Sequence, residues 1–244
     1  MTPFGGRVAL VTGASRGIGA AVAELLAADG AGARVIRVAR TLQPGTHGNV
    51  RDIRCDLTDW DQVQRFSDEV LREFGPPDLV VSNAGAFLLR PLESTGPTEL
   101  DQQLAVNLRA PFAVAKNFLP AMARAGRGSF ITVGSVADHR GFPDNAAYAA
   151  SKYGLRGLHE TLVEEYRRTG VRLSLVSPGP TDTSVWDPFD PDRREGFIPR
   201  AGMLRPRDVA EAILFVATRP PHVHIDWLRI GPSGAPAVAD ERAT

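Results

Sequence analysis

Residues 7–19 of the chain read RVALVTGASRGIG, and this stretch decides the fold. An apolar run leads into three glycines, Gly13, Gly17 and Gly19, and an alanine-rich helical segment follows. The pattern predicts a buried strand, a tight turn and the start of a helix. Glycines allow a backbone to approach a pyrophosphate closely, and the free N–H groups at a helix start favour negative charge. The G-x-x-x-G-x-G spacing departs from the G-x-G-x-x-G dinucleotide fingerprint, but the same physical reasons apply.

The rest of the chain repeats this alternation of strand and helix. Apolar runs predict seven strands, at residues 8–12, 34–39, 52–55, 79–82, 129–133, 172–176 and 225–230. Helical periodicity predicts five helices, at residues 18–29, 60–74, 98–125, 147–169 and 206–218. The alternation is typical of an α/β protein with a parallel sheet and helices on both faces. No linker interrupts it, so we predict one domain over residues 1–231 and a mobile tail over residues 232–244.

Composition and charge argue against several function classes. Twenty-eight basic and twenty-eight acidic residues cancel, so nothing steers the chain toward nucleic acid or an anionic membrane. No apolar run approaches the roughly eighteen residues that a membrane span needs, and the start shows no charged segment followed by an apolar one. Cys55 is the single cysteine and reads as a small buried residue. We therefore expect a cytoplasmic protein without an internal disulfide.

Tyr148 and Lys152 are four residues apart in a predicted helix, so both side chains project from one face. An isolated phenol titrates near pH ~10, but a neighbouring ammonium stabilises the phenolate and lowers the phenol's pKa. The pair can therefore act as a proton carrier and its tuner. Ser135 ends the predicted fifth strand, close enough in sequence to Tyr148 for both hydroxyls to meet one carbonyl oxygen.

The order and spacing of these motifs, together with Asn83-Ala84-Gly85 and Asn107, resemble the short-chain dehydrogenase/reductase family in its compact single-domain branch. The resemblance covers residues 7–231. It implies a Rossmann-like, doubly wound, seven-stranded parallel sheet with helices on both faces. It also implies reversible hydride transfer between NADP(H) and a secondary alcohol or its ketone, without a metal ion.

By the same resemblance the catalytic residues are Asn107, Ser135, Tyr148 and Lys152. Ser135 would hydrogen-bond the carbonyl oxygen and Tyr148 would exchange the proton. Lys152 would tune Tyr148 and hold the nicotinamide ribose, and Asn107 would anchor a water in a proton relay. The chief rival as an acid or base is His139, but the sequence offers it no partner, so we expect a solvent-exposed loop histidine.

The resemblance also implies a set of cofactor-binding residues. They are Gly13, Ser15, Arg16, Gly17, Ile18, Gly19, Arg40, Asp56, Leu57, Asn83, Ala84, Gly85, Lys152, Pro178, Gly179 and Thr183. An acidic residue at the end of the second strand would bind the adenosine ribose and repel a 2'-phosphate, but Ala39 stands there. Arg40 and Arg16 could grip a 2'-phosphate, so we expect NADP(H) in preference to NAD(H). Asp56 would contact the adenine ring, with a turn role beside Thr58 as the alternative.

Three segments form the predicted substrate pocket: the loops at residues 86–89 and 138–144, and a mobile aromatic flap at residues 184–203. The expected partner is a small carbonyl or alcohol, either a small hydroxy acid or a 3-oxoacyl thioester. Arg140 could receive a carboxylate or remain a solvated loop residue. A regulator that binds dinucleotide without chemistry is an alternative from another class. An epimerase or dehydratase of the extended branch is a third, but it would need a larger substrate region.

Assembly is the remaining expectation that the resemblance carries. Family members commonly pair their long fourth and fifth helices, so we expect a homodimer or homotetramer. Phe112, Leu119 and Leu158 are apolar positions that could serve at this interface or belong to the core.

Overall fold

A computed structural model describes residues 4–28 and 32–234, and it shows one α/β domain around an eight-stranded sheet. The strands are β1 (Val8–Thr12), β2 (Arg34–Ala39), β3 (Gly45–His47), β4 (Val50–Arg54), β5 (Leu79–Ser82), β6 (Ser129–Val133), β7 (Arg172–Pro178) and β8 (Trp227–Ile230). Their spatial order is β3-β4-β2-β1-β5-β6-β7-β8, and of these described strands only β3 and β4 pair antiparallel. The predicted doubly wound fold is confirmed, but the prediction of seven strands was one short.

Six α-helices occur in the described part of the chain. They are α1 (Gly17–Ala27), α2 (Trp60–Phe74), α3 (Pro97–Leu104), α4 (Ala110–Ala125), α5 (Ala146–Glu165) and α6 (Pro206–Ala217). A π-helical turn, Ala105–Arg109, joins α3 to α4, so the single helix predicted over residues 98–125 was wrong in this respect. The predicted helix end at residue 29 and the tail residues 235–244 lie outside the described residues.

Helices cover both faces of the sheet and enclose two apolar cores. Phe66 of α2 and Phe118 of α4 pack on one face, with ring centroids 5.8 Å apart. Leu26 of α1 and Ile213 of α6 pack on the other face. Every residue of β1 is buried, as its continuous apolar sequence predicts, and each fully buried large side chain contributes roughly 1.5–3 kcal/mol. Within the described ranges, no helix has both the length and the apolar character to cross a membrane.

The strand that sequence analysis missed, β3, forms a hairpin with β4 at the edge of the sheet. It has only three residues, two of them exposed, so it shows no apolar run. The signal lies in the turn: His47 pairs with Val50, leaving a two-residue connection in which Gly48 has a φ of +61°. The hairpin also lengthens β4 toward its start, which is why that strand begins before the predicted residue 52.

The site lies at the topological switch point of the sheet, where the strand order changes direction. β1 pairs with β2 on one side and with β5 on the other, and ligands of such sheets bind outside the carboxyl ends of the strands at this point. Asn83 follows β5 there and donates from Nδ2 to the Thr12 carbonyl at 3.0 Å. The Thr12 hydroxyl in turn accepts from the Asn83 N–H at 3.0 Å. These bonds tie the loop after β5 to the end of β1.

Candidate active site

Ser135, Tyr148 and Lys152 come together at the carboxyl end of β6. Ser135 follows that strand and is buried, while Tyr148 and Lys152 lie on the first two turns of α5. The Lys152 ammonium lies 5.8 Å from the centre of the Tyr148 ring and donates to the Val133 carbonyl at 3.2 Å. The structure therefore brings the three predicted side chains to one end of one strand, with the ammonium over the phenol.

Burial shifts the pKa of both titratable groups of this trio. It raises the pKa of Tyr148 to about 12, against a lowering by the neighbouring Ser135 hydroxyl and together with a further rise from the Asp138 charge. Burial lowers the pKa of Lys152 to about 8, and Asp138 partly opposes this fall. The expectation that Lys152 brings the Tyr148 pKa toward neutrality is not met in this structure, because burial outweighs the other influences. At neutral pH the phenol is protonated and can donate.

Asn107 lies in the π-helical turn and is fully buried. Its Nδ2 atom lies 2.9 Å from the Ala86 carbonyl and 3.0 Å from the Ser151 hydroxyl, and its Oδ1 accepts from the Ala86 N–H at 2.8 Å. Gln103 Oε1 lies 3.1 Å from the same Nδ2. Asn107 therefore connects the loop after β5 to α5 at Ser151, the residue before Lys152. Its role in a water relay stays a prediction.

The glycine turn fits a phosphate-bearing cofactor. Gly13 has a φ of +67°, and a Cβ there would lie 2.8 Å from the Ala84 Cα. A Cβ on Gly19 would lie 2.5 Å from Asn83 Nδ2. The residue before α1, Arg16, makes no side-chain cap, so the N–H groups at the start of α1 are available to an anion. Close backbone packing and a helix start thus coincide where the sequence predicted them.

The segment after β7 reaches this turn from the opposite side. A Cβ on Gly17 would lie 3.2 Å from the Thr183 methyl group, so these two predicted residues face each other. Pro178 ends β7, and Gly179 donates to the Ile230 carbonyl of β8 at 2.7 Å. Two further predicted residues belong to the glycine turn, the exposed Ser15 and the half-buried Ile18. Gly85 completes the cleft wall between the turn and the Asn107 side chain.

The residues assigned to the adenosine end behave in two ways. Arg16 and Arg40 are exposed, and within the described residues neither forms an ion pair or a side-chain hydrogen bond, so both guanidinium groups can meet a ligand. Asp56 is engaged: its Oδ1 accepts from the Thr58 N–H at 3.0 Å and from the Thr58 hydroxyl at 2.8 Å. Leu57 is buried in the core. The turn role weighed for Asp56 is therefore present, and its contact with adenine stays a prediction.

We expect Gly19→Ala to weaken cofactor binding at least tenfold. The new methyl group would overlap Asn83 Nδ2 and the Gly13 carbonyl, both 2.5 Å away, so the turn must shift at a cost of roughly 1–3 kcal/mol. NADPH fluorescence titration and thermal unfolding would measure the two effects. Gly157→Ala is the matched control, because nothing lies within 4 Å of a Cβ there and a helical Gly-to-Ala change stabilises by about 0.5–1 kcal/mol. Unchanged NADPH affinity in Gly19→Ala would contradict the assignment of the glycine turn to cofactor binding.

An aromatic cluster covers Tyr148 on the substrate side. The Phe87 ring lies edge-on to Tyr148 with centroids 5.0 Å apart, and it also contacts Trp186 at 5.1 Å and Phe189 at 5.5 Å. Phe197 meets Trp186 at 6.1 Å. Three of these rings belong to the predicted flap. The side of the site that would face a substrate is therefore largely apolar.

Ion pairs fasten this flap to the rest of the domain. Arg200 donates to Asp182 and to Asp187, each at 2.7 Å, and Trp186 donates from its ring to the Thr181 carbonyl at 3.1 Å. The flap contains two short 3-10 turns, Ser184–Phe189 and Arg200–Gly202, where the sequence showed no period. Arg193 and Arg194 of the flap also form ion pairs, with Asp190 and Asp144, so the arginines of this segment are engaged by carboxylates.

The loops beside the flap contain two side chains that sequence analysis considered, Arg140 and His139, and one that it missed. Arg140 is exposed, with its guanidinium 4.9 Å from the Phe142 ring centre, as for a solvated loop residue. His139 is not the partnerless loop histidine that we expected: its Nδ1 lies 2.7 Å from Oδ1 of the fully buried Asp138. The missed residue is Asp138, although Ser135 and Asp138 match the S-x-x-D/E pattern of a capping box, which the structure confirms. No cluster of three or more His, Cys, Asp or Glu suited to a metal ion occurs in residues 4–28 and 32–234.

Comparisons with known proteins agree with this geometry. A family model described as short chain dehydrogenase matches residues 7–194. A 3-oxoacyl-[acyl-carrier-protein] reductase of Mycobacterium tuberculosis (strain CDC 1551 / Oshkosh) is 35% identical over 88% of this chain and 87% of its own length. Parallel strands, a glycine turn after β1 and a Ser, Tyr and Lys trio define a dinucleotide-dependent class of α/β enzymes. The chain belongs to the short-chain dehydrogenase family, whose members are oxidoreductases.

Two solved structures share the whole fold. A metagenomic short-chain oxidoreductase in complex with NADP is 34% identical, covers 95% of this chain and 100% of its own, and superposes with a TM-score of 0.78. An alcohol dehydrogenase from the archaeon Thermococcus sibiricus, complexed with 5-hydroxy-NADP, is 27% identical over 93% of this chain and 97% of its own, with a TM-score of 0.78.

Proposed function

We propose that this protein is an NADP(H)-dependent oxidoreductase that interconverts a secondary alcohol and its ketone. The observation that carries the proposal is the convergence of Ser135, Tyr148 and Lys152 at the carboxyl end of β6, at the same edge of the sheet as the glycine turn. A fold that bound a dinucleotide without chemistry would have no need of a half-buried phenol beside a buried ammonium. The same trio argues against the regulator considered above.

The residues divide the chemistry between them. The bound cofactor supplies or accepts a hydride. In reduction, Ser135 donates to the substrate's carbonyl oxygen, and Tyr148 donates its proton as negative charge develops on that oxygen. The Lys152 ammonium stabilises the phenolate that remains, because it lies against the Tyr148 ring. Asn107 fixes the loop at Ala86 and α5 relative to each other, so the phenol keeps its position. In alcohol oxidation each proton moves in the opposite direction.

Two observations support NADP(H) over NAD(H). Arg16 and Arg40 are exposed at the adenosine end, and the second strand ends in Ala39 rather than in an acid that would repel a 2'-phosphate. The two solved relatives named above are complexes with NADP and with 5-hydroxy-NADP. An arginine offers a 2'-phosphate two parallel charge-assisted hydrogen bonds.

We expect Arg40→Ala to weaken NADPH binding roughly tenfold to a hundredfold, since a charge-assisted hydrogen bond contributes about 1.5–3 kcal/mol. NADH lacks the 2'-phosphate, so its affinity should change little. Titrations of both cofactors, followed by nicotinamide fluorescence, would measure the ratio. Arg72→Ala removes another exposed arginine, at the end of α2, and should leave both affinities unchanged. An unaltered NADPH to NADH ratio in Arg40→Ala would contradict this assignment.

The aromatic cluster favours a substrate whose group next to the carbonyl is apolar. Phe87, Trp186 and Phe189 form the wall against Tyr148, and the nearby Asp182 and Asp187 carboxylates are engaged by Arg200. Small aliphatic or aryl ketones fit this wall better than a small hydroxy acid. A 3-oxoacyl thioester is the second candidate, and the 35% identity to the mycobacterial reductase favours it.

One experiment tests the function as a whole. The purified protein is titrated with NADPH and NADH, and the tighter complex is offered aliphatic ketones, aryl ketones, 3-oxo acids and 3-oxoacyl thioesters. Consumption of NADPH with one class establishes the reductase and identifies its substrate class. Tight binding without turnover of any class would refute the reductase and favour the regulator.

Assembly and location complete the proposal. Phe112 of α4 and Tyr153 of α5 are exposed by 44% and 47%, which supports pairing of these helices in a homodimer or homotetramer. Leu119 is buried in the core and Leu158 is half-buried, so the two are not equivalent positions. We propose a cytoplasmic protein that acts on small molecules rather than on nucleic acid or membranes. Sedimentation velocity would give the assembly state.

A further inference from the structure

Asp138 is a fully buried carboxylate to which the mechanism above gives no role. A carboxylate in the interior is costly unless hydrogen bonds and charges compensate it. Three groups surround this one. Oδ2 accepts from the Ser135 N–H at 3.0 Å and from the Ser177 hydroxyl at 2.6 Å, and Oδ1 lies 2.7 Å from Nδ1 of His139. The carboxylate is therefore fully engaged, and one of its partners is the backbone of a proposed catalytic residue.

The first consequence concerns the orientation of Ser135. Asp138 holds the Ser135 N–H, while the Ser135 hydroxyl accepts from the Ala137 N–H at 3.1 Å. Residue 134 must be a glycine for this packing, since a Cβ there would lie 2.3 Å from Asp138 Oδ2 and 3.0 Å from the Ser177 hydroxyl. The turn that presents the serine is thus built around the carboxylate.

Contacts of Trp227 connect this turn to β8, the last strand at this edge of the sheet. Trp227 of β8 donates to the Ser177 hydroxyl at 2.9 Å, and its ring stands edge-on to His139 with centroids 5.2 Å apart. Arg156 of α5 and Arg229 of β8 lie over the same indole, at 4.4 and 5.2 Å. Asp138 is therefore linked to Trp227 in two ways, by hydrogen bonds through Ser177 and by the ring of His139. The two arginines lie on the outside of this group.

The second consequence is electrostatic. Besides His139 in its own turn, the charged or titratable groups that face Asp138 are Tyr148 and Lys152 on α5, with the two arginines one indole further away. Its negative charge raises the pKa of Tyr148 and opposes the fall that burial imposes on the pKa of Lys152. A neutral residue at this place would let both pKa values fall.

We propose that Asp138 is a positioning residue of the active site, which fixes Ser135 through its backbone N–H and keeps the Lys152 ammonium charged beside Tyr148. The inference rests on the proposed oxidoreductase function for its kinetic part. Its electrostatic part concerns the protein alone and can be measured without a substrate.

The test is Asp138→Asn, which keeps an oxygen for the Ser135 N–H, removes the charge and places an amide NH₂ in front of Nδ1 of His139, which can accept from it as the other neutral tautomer. We expect kcat to fall roughly tenfold to a hundredfold, as for one weakened buried hydrogen bond to a charged group, and both limbs of the pH–kcat profile to move to lower pH. A residue with a merely structural role would lower the profile without moving it. Asp52→Asn is the matched control: Asp52 is equally a buried carboxylate, paired with Arg37, and its loss should leave both limbs in place.

A second measurement separates this proposal from the proposed function. The ultraviolet absorbance of the phenolate reports Tyr148 alone when Tyr153 and Tyr166, the other two tyrosines, are replaced by Phe. In this background Asp138→Asn should lower the midpoint of the Tyr148 titration, whether or not the protein turns over any ketone. An unchanged midpoint overturns the proposal, and so does a lowered kcat whose pH limbs stay in place. Absence of turnover in the wild type, with a shifted midpoint in the variant, overturns the proposed function and leaves Asp138 as the charge that controls the phenol.

Discussion

Tyr148→Phe should lower kcat by roughly 10²- to 10⁴-fold while NADPH affinity stays within about twofold, because it removes the proton donor and its contact with the Ser135 hydroxyl but keeps the ring. The ring keeps its edge-on contact with Phe87 and its position under the Lys152 ammonium. The pKa of about 12 makes the wild-type phenol a protonated donor throughout the neutral range. Stopped-flow single-turnover rates with a ketone from the panel, together with fluorescence titration of NADPH, would separate chemistry from binding.

Tyr153→Phe is the matched control for this prediction. Tyr153 lies on the same helix, five residues further along, and is 47% exposed, so its side chain points away from the face that presents Tyr148 and Lys152. It should retain wild-type kcat. Near-wild-type turnover in Tyr148→Phe would exclude the phenol as the acid and leave the serine as the remaining hydroxyl at the carbonyl oxygen. Equal losses in the two tyrosine variants would point instead to disturbed packing of α5.

The sequence was sufficient for features that depend on spacing along one element. Tyr148 and Lys152 lie on one face because helices repeat every 3.6 residues, and the glycines after β1 precede a helix because an apolar strand leads into them. Both follow from local rules, and both were predicted correctly in position. The first strand is an example: its predicted bounds, Val8–Thr12, are those of the structure.

Features that depend on long-range contacts were not readable. Asp138 acquires its role from Ser177, 39 residues away, and from the tryptophan of β8 behind it. The π-helical turn at Asn107 is set by the backbone of Ala86, 21 residues earlier, which the Asn107 side chain binds from both of its polar atoms. Burial is the third such quantity. The pKa of Tyr148 was expected to fall because the sequence shows its cationic neighbour, whereas the enclosure that raises it comes from the folded domain.

Lys152→Met should abolish most turnover and at the same time stabilise the fold. The side chain is 5% exposed, and burial lowers its pKa from 10.5 to about 8, so the folded state at neutral pH contains a charge that costs about 3 kcal/mol relative to the unfolded chain. Methionine fills a similar volume without charge. Loss of the bond to the Val133 carbonyl offsets about 1 kcal/mol, which leaves a net gain of roughly 1–2 kcal/mol and a rise in Tm of about 2–8 °C.

The pH dependence of that gain gives the prediction its sign. Because the folded-state pKa is depressed, the unfolded chain binds the Lys152 proton more tightly between pH about 8 and 10.5, and wild-type stability rises across this window. The advantage of Lys152→Met should therefore be complete below pH 8 and vanish toward pH 10.5. Denaturant unfolding at several pH values would measure it, with Lys116→Met as control, since Lys116 is the other lysine of the chain and is exposed. A variant that lost both turnover and stability at pH 7 would contradict this prediction and show that the contacts of the ammonium stabilise the fold. A more stable but inactive variant would show that the charge of Lys152 lowers the stability of the fold and is needed for the chemistry.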